Sequence, residues 1–185
     1  YYTKAKQTGI FDLYETGKIT EDVFCDDLRD LTGLEASDVE ILDAWNAMLG
    51  NFPMVRKDLL LELKKHFNTS LLSNTNETHI KAFNQIIEND IQETSLAPLF
   101  HTHFFSNEIA LRKPNSNAFE FVLEQTGFIP EETLFLDDSI QHIEGANKVG
   151  IRTMHITDTP VEVLFADFLA CLLYTSPSPR DTLLS

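Results

Sequence analysis

From Pro53 onward the chain alternates short apolar runs with amphipathic helical stretches, and this rhythm narrows the fold more than any other feature. Residues 55–67 place Leu59, Leu60 and Leu63 on one side, with Lys64 and Lys65 in the last turn. Residues 69–73 are short and apolar and stop at Asn74-Thr75-Asn76. A helix follows with Ile80, Phe83, Ile86 and Ile87 at helical spacing, and Phe104-Phe105 marks a second strand. Phe119, Val122 and Leu123 define a helix closed by Gly127. Residues 133–136 form a third strand running into Asp137-Asp138, 140–149 a helix, and 152–156 a fourth strand. Strands separated by helices pack as a parallel sheet with helices on both faces, an α/β architecture. In such sheets ligands sit beyond the carboxyl ends of the strands. The polar residues that end the strands therefore carry the functional question.

The first fifty residues follow a different rule. Thr20 caps a helix with Glu21 and Asp22 in its first turn and Gly33 as its stop. Ser37 and Glu40 make a capping box ahead of Ile41, Leu42 and Trp45. No strand pattern occurs there, so the expectation is a small all-helical unit over residues 1–52 and an α/β core over 53–170. Trp45 lies in an apolar stripe and reads as core rather than as a substrate contact.

Charge removes several classes of partner. Fourteen Lys and Arg stand against twenty-nine Asp and Glu, a net charge of −15. A field of that sign repels nucleic-acid backbones and anionic membranes, and the basic residues form no patch that reverses it. No apolar run approaches the ~20 residues of a spanning helix, and no signal peptide is evident. Cys25 and Cys171 have no partner spacing, so neither a disulfide framework nor a thiolate metal site is implied. A reducing cytoplasm and a monomer or weak dimer are the expectations.

Three positions, two at strand ends and one in a loop leading into a helix, suit phosphate chemistry. Ser73-Asn74 offers a hydroxyl and a helix N-terminus, which favour an anion; the plainer reading is that Asn74, Thr75 or Asn76 caps the helix. Lys113, before Pro114, has a defined launch point for an ammonium that neutralises a phosphoryl group, against the plain reading of a solvated surface lysine. Asp137-Asp138 ends a strand as apolar as Leu134-Phe135-Leu136. Adjacent carboxylates there repel unless a cation lies beside them, and Mg²⁺ is the natural candidate. The alternative is a turn in which Asp138 or Ser139 caps the next helix. His101 and His103 read as loop histidines rather than as a metal pair.

In this order the three spots resemble the haloacid dehalogenase-like hydrolase superfamily. LLSNTN (71–76) looks like its second motif, LRKPNSNAFEFVLEQTG (111–127) its third and TLFLDDSIQHIEGANKVGI (133–151) its fourth. With FDLYETGKIT near the start, the wording is closest to phosphatases with a small helical cap, of the glucose-1-phosphatase type. The resemblance implies a Rossmann-like core and a Mg²⁺-dependent phosphomonoesterase working through an aspartyl-phosphate on a small phosphorylated substrate. It assigns Ser73 and the Asn74 backbone to the phosphoryl oxygens and Lys113 to charge on the nucleophile and transferring group. Asp138 becomes a Mg²⁺ ligand, and Asp137 a second ligand or an orienting partner. Two other readings stay open: a metal-free haloacid dehalogenase, disfavoured by the paired aspartates, and a non-catalytic phosphate-binding or interaction module.

The first motif of that family needs Asp-x-Asp, and no two aspartates here stand two apart. The chain begins Tyr1-Tyr2-Thr3 without Met, so the expectation is an N-terminally truncated fragment. It lacks the nucleophile, the acid/base and the central strand. It is expected to be inactive, with a slot between the Leu71 and Leu134 strands. Residues 171–185 (CLLYTSPSPRDTLLS) have no helical period and resemble a translated sequencing adapter, hence an expected non-native tail.

Overall fold

A computed structural model describes residues 9–166. The tail reading and Cys171 lie outside the described residues.

The chain opens with α1 (Ile10–Glu15), α2 (Glu21–Thr32) and α3 (Asp38–Asn46). Thr20 precedes α2 as expected, but its hydroxyl bonds the Asp22 carboxylate instead of a backbone amide. Gly33 closes α2 with φ of 68°, a conformation that favours glycine. The Ser37–Glu40 capping box forms in full at α3. These helices bury Tyr14, Phe24, Cys25 and Ile41 together, with Phe11, Leu28 and Trp45 packed around them.

The second unit runs α4 (Met54–His66), β1 (Ser70–Ser73), α5 (Glu77–Ile91), β2 (Thr102–Phe105), α6 (Ser106–Ile109) and α7 (Ser116–Thr126). It continues with β3 (Leu134–Asp137), α8 (Ile140–Asn147), β4 (Arg152–His155) and α9 (Val161–Leu164). One correction concerns His103, which lies on β2 rather than in a loop. Phe52 packs with Ile87, Ile91 and Leu99, so the second core begins at the last residue assigned to the helical unit.

β1 pairs in parallel with β2, Ser70 opposite Thr102 through Ser73 opposite Phe105. β3 pairs in parallel with β4, Leu134 opposite Arg152 through Asp137 opposite His155. Among the described residues the two pairs share no ladder, so β1 and β3 are each hydrogen-bonded on one side. Leu72 of β1 and Phe135 of β3 nevertheless pack on one cluster of Phe119, Ala146 and Ile151. One helical layer thus carries both pairs. A run as apolar as Leu134-Phe135-Leu136 suits a strand covered on both faces, yet Leu134 is 46% exposed.

The helical unit is fastened to the core by polar and aromatic contacts. The Tyr14 hydroxyl meets Thr78 at the start of α5, and the Thr78 hydroxyl donates to Glu21. The Trp45 indole stacks between Phe11 and His79, with ring centroids 4.9 Å away on each side. Trp45 is therefore packing, as its stripe suggested. Gly17 adopts φ of +66°, and a Cβ there would lie 2.5 Å from the Asn107 carbonyl oxygen. Only glycine lets the turn after α1 come so close to α6.

Candidate active site

The carboxyl ends of β1 and β3 meet through one loop. Asn74, the first residue after β1, uses its side-chain amide as a clamp on Lys113. Its Nδ2 donates to the Lys113 carbonyl at 2.8 Å, and its Oδ1 accepts from the Lys113 amide at 2.9 Å. Its neighbours are engaged elsewhere. The Thr75 amide donates to Ser106 Oγ, and Asn76 caps α5 by accepting from the His79 amide. Cap and clamp are thus divided between two asparagines that look alike in sequence.

Lys113 is 7% exposed, which rules out the solvated surface lysine. Its Nζ donates to Asp137 Oδ2 at 2.7 Å and lies 5.4 Å from the Phe135 ring centroid. The Lys113–Pro114 peptide bond is cis. From the other side α8 presses on this loop. A Cβ on Gly145 would sit 2.3 Å from the Pro114 carbonyl oxygen and 2.9 Å from the Phe119 ring. Gly145 thus permits the close approach of α8 to the lysine loop.

Asp137 is the last residue of β3 and its side chain is 8% exposed. Its Oδ1 accepts from the Ser139 amide at 2.8 Å and lies 2.8 Å from His142 Nδ1. Burial alone would raise its pKa. The His142 bond, the charge and bond of Lys113 and the Ser139 amide outweigh burial and hold the carboxyl well below the usual carboxylate range. The cation beside the paired aspartates is therefore, first of all, the Lys113 ammonium. Asp138 differs from its neighbour. It is exposed, and its side chain makes no hydrogen bond or ion pair among the described residues. Its carbonyl oxygen faces His155 Nε2 at 3.0 Å. Neither Asp138 nor Ser139 caps α8 through its side chain.

The Ser73 hydroxyl, at the end of β1, also makes no hydrogen bond among the described residues. Contacts thus join Asn74, Lys113 and Asp137 directly, with Ser73 and Asp138 next in the chain to two of them. His101 Nδ1 lies 3.2 Å from the Thr69 amide, and the His103 ring packs against Phe105. Sequence reasoning missed two things here, the Asn74 clamp and His142. The sole signal for His142 is its place in the first turn of α8, five residues beyond Asp137.

The family model for haloacid dehalogenase-like hydrolases matches residues 5–150. The chain belongs to that family. Among its relatives is a D-ribitol-5-phosphate phosphatase of Bacteroides thetaiotaomicron, 31% identical over 150 residues, covering 81% of this chain and 72% of the relative. A family enzyme from the same organism, solved as a magnesium complex, superposes with a TM-score of 0.78 at 34% identity, covering 88% of this chain and 82% of that one. A form of that enzyme with one aspartate changed to alanine, in complex with magnesium and inorganic phosphate, gives a TM-score of 0.77 at 34% identity, covering 85% and 78%. The Rossmann-like fold of the haloacid dehalogenase-like hydrolases is thereby established for this chain.

Proposed function

We propose that this member of the haloacid dehalogenase-like family serves Mg²⁺-dependent hydrolysis of a small phosphomonoester, such as a sugar or polyol phosphate, through an aspartyl-phosphate. The observation that carries the reading is Lys113, a buried ammonium held at the strand ends by Asn74 and Asp137, near Ser73 and Asp138, whose side-chain oxygens have no hydrogen-bond partner among the described residues. Phosphoryl transfer needs mainly positioning and electrostatic stabilisation, and that set supplies both. The Ser73 hydroxyl and the Asn74 backbone amide hydrogen-bond phosphoryl oxygens. Lys113 offsets the negative charge of the transferring group and of its attacking carboxylate. Asp137 orients Lys113 rather than binding metal, because its oxygens are already occupied by Lys113, His142 and the Ser139 amide.

The residues present fit Mg²⁺ in part. Asp138 offers one free carboxylate, and Mg²⁺ commonly takes one or two carboxylates and completes its shell with phosphate oxygens and water. When bound, the ion neutralises phosphoryl charge. No Asp-x-Asp occurs in the 185 residues, so the nucleophile and acid/base are not among them and this chain alone turns over no ester. A helical cap over residues 1–52 and a core over 53–170, working in the cytoplasm as a monomer or weak dimer without nucleic-acid or membrane partners, complete the proposal. The lack of Asp-x-Asp also favours a second reading, a scaffold that binds phosphate without turnover.

The test begins with the source gene upstream of Tyr1. A strand ending in Asp-x-Asp supports catalysis, and a replaced first aspartate supports the binding module. A protein carrying that strand is then expected to hydrolyse p-nitrophenyl phosphate only with Mg²⁺, and Asp138→Asn to abolish turnover. Turnover without metal refutes the assignment.

A further inference from the structure

Arg112 stands one residue before Lys113, and its guanidinium reaches into the helical cap. It pairs with Asp12, and its Nη2 lies 2.7 Å from Glu15 Oε2; both acids are on α1. The two pairs differ in burial. The Asp12 side chain is 63% exposed, whereas those of Glu15 and Arg112 are 17% and 23% exposed. Burial pushes the Glu15 carboxyl upward, against the pull of Arg112. A half-buried pair of this kind adds little net stability, since desolvation offsets attraction. What it does supply is a tether: Asp12 hydrogen-bonds the guanidinium, and Glu15 Oε2, buried and without a hydrogen bond among the described residues, faces it at ion-pair distance.

Asp137 holds the Lys113 ammonium, and the lysine's backbone is restrained from three further directions. Asn74 clamps its backbone, Gly145 abuts Pro114 on its downstream side, and Arg112, its upstream neighbour, is tied to α1. The first two restraints come from the core and the third from the cap. We infer that Glu15, acting through Arg112, is a positioning residue for Lys113, so that the cap helps set where the phosphate-neutralising ammonium sits. The functional weight of this inference rests on the proposed role of Lys113, while the linkage itself is a property of the fold.

Competitive acylation of lysines in the full chain, read by mass spectrometry, tests the linkage without turnover. Glu15→Gln is expected to raise Lys113 labelling about tenfold, the size of a typical contact coupling of ~1.4 kcal/mol, while Lys57 stays unchanged. Lys57 serves as the control because it is paired with Glu93 and bonds the Ile91 carbonyl. Arg112→Gln should give the same rise, and adding Glu15→Gln to it should give no more. If Glu15→Gln does not fold, Arg112→Gln is read against Asp12→Asn: a rise with the first and none with the second keeps the role with Glu15, and an equal rise with both overturns it. Unchanged Lys113 labelling, or a parallel rise at Lys57, overturns the inference. A separate arm with Mg²⁺ and inorganic phosphate asks whether the anion protects Lys113. Absence of protection counts against the phosphate reading alone and leaves the linkage result standing.

Discussion

The two ends of the strands are both charged, and only one is organised. At the amino end a cleft of about 660 Å³ is lined by Asp58, Glu62, Lys64, Lys65 and His101. Its charges form no buried opposite-charge pair between distant segments. Glu62 pairs with Lys65 and His66 on its own helix, and Lys64 donates to the Pro98 and Phe100 carbonyls. The carboxyl end has a smaller cleft of about 230 Å³ between α1 and the lysine loop. Lys113 and Asp137 line neither cleft; at the carboxyl end they are each less than a tenth exposed and are 24 residues apart in sequence. Volume does not mark the site. Burying opposite charges costs desolvation that only close pairing offsets, so convergent buried charge is the better marker of function.

The comparison is broken most severely by Asp137→Ala, which leaves the Lys113 ammonium buried without its partner. Loss of one member of a buried pair costs about 3–5 kcal/mol, and urea unfolding should show it. The same carboxylate sets a pH dependence. Because its folded pKa is depressed, its contribution is full above the ordinary carboxylate value of about 4 and drains away as the pH falls through the folded value. Asp137→Asn should flatten that acid limb of the stability profile. An unchanged limb would place the linkage elsewhere.

A smaller effect follows from the packing of α8 on the lysine loop. Gly145→Ala forces a methyl group against the Pro114 carbonyl, an overpacking cost of about 1–3 kcal/mol. The amide resonances of residues 112–114 should shift along with Tm. At the amino end Glu62→Gln should change Tm immeasurably, because exposed pairs within one helix contribute little. A large loss there would erase the distinction between the two ends.

Much of the fold was legible because its causes are local. The Ser37–Glu40 box, the Gly33 stop, the four short strands and the helix from Ser116 each rest on capping, turn chemistry or period. Two candidate positions, Ser73 and Asp137, were legible because they end strands, and Lys113 because Pro114 follows it in a loop. The partner of Asp137 was not. A carboxylate pair read along the chain calls for a metal ion, whereas Lys113, 24 residues earlier, fills part of that need in space. The Asn74 clamp and the Arg112–Glu15 pair escaped for the same reason, since both join segments with no sequence relation.

The sequence by itself determined the alternation of strands and helices, the helical unit ahead of it, and the strand-end residues that suit phosphate. It did so because helix period, strand length and capping depend on neighbours within a few positions. Tertiary structure decided which of those residues are buried, which cation faces which anion, and which carboxylate stays free. Those outcomes depend on desolvation and on distances across the chain, and no local pattern encodes them.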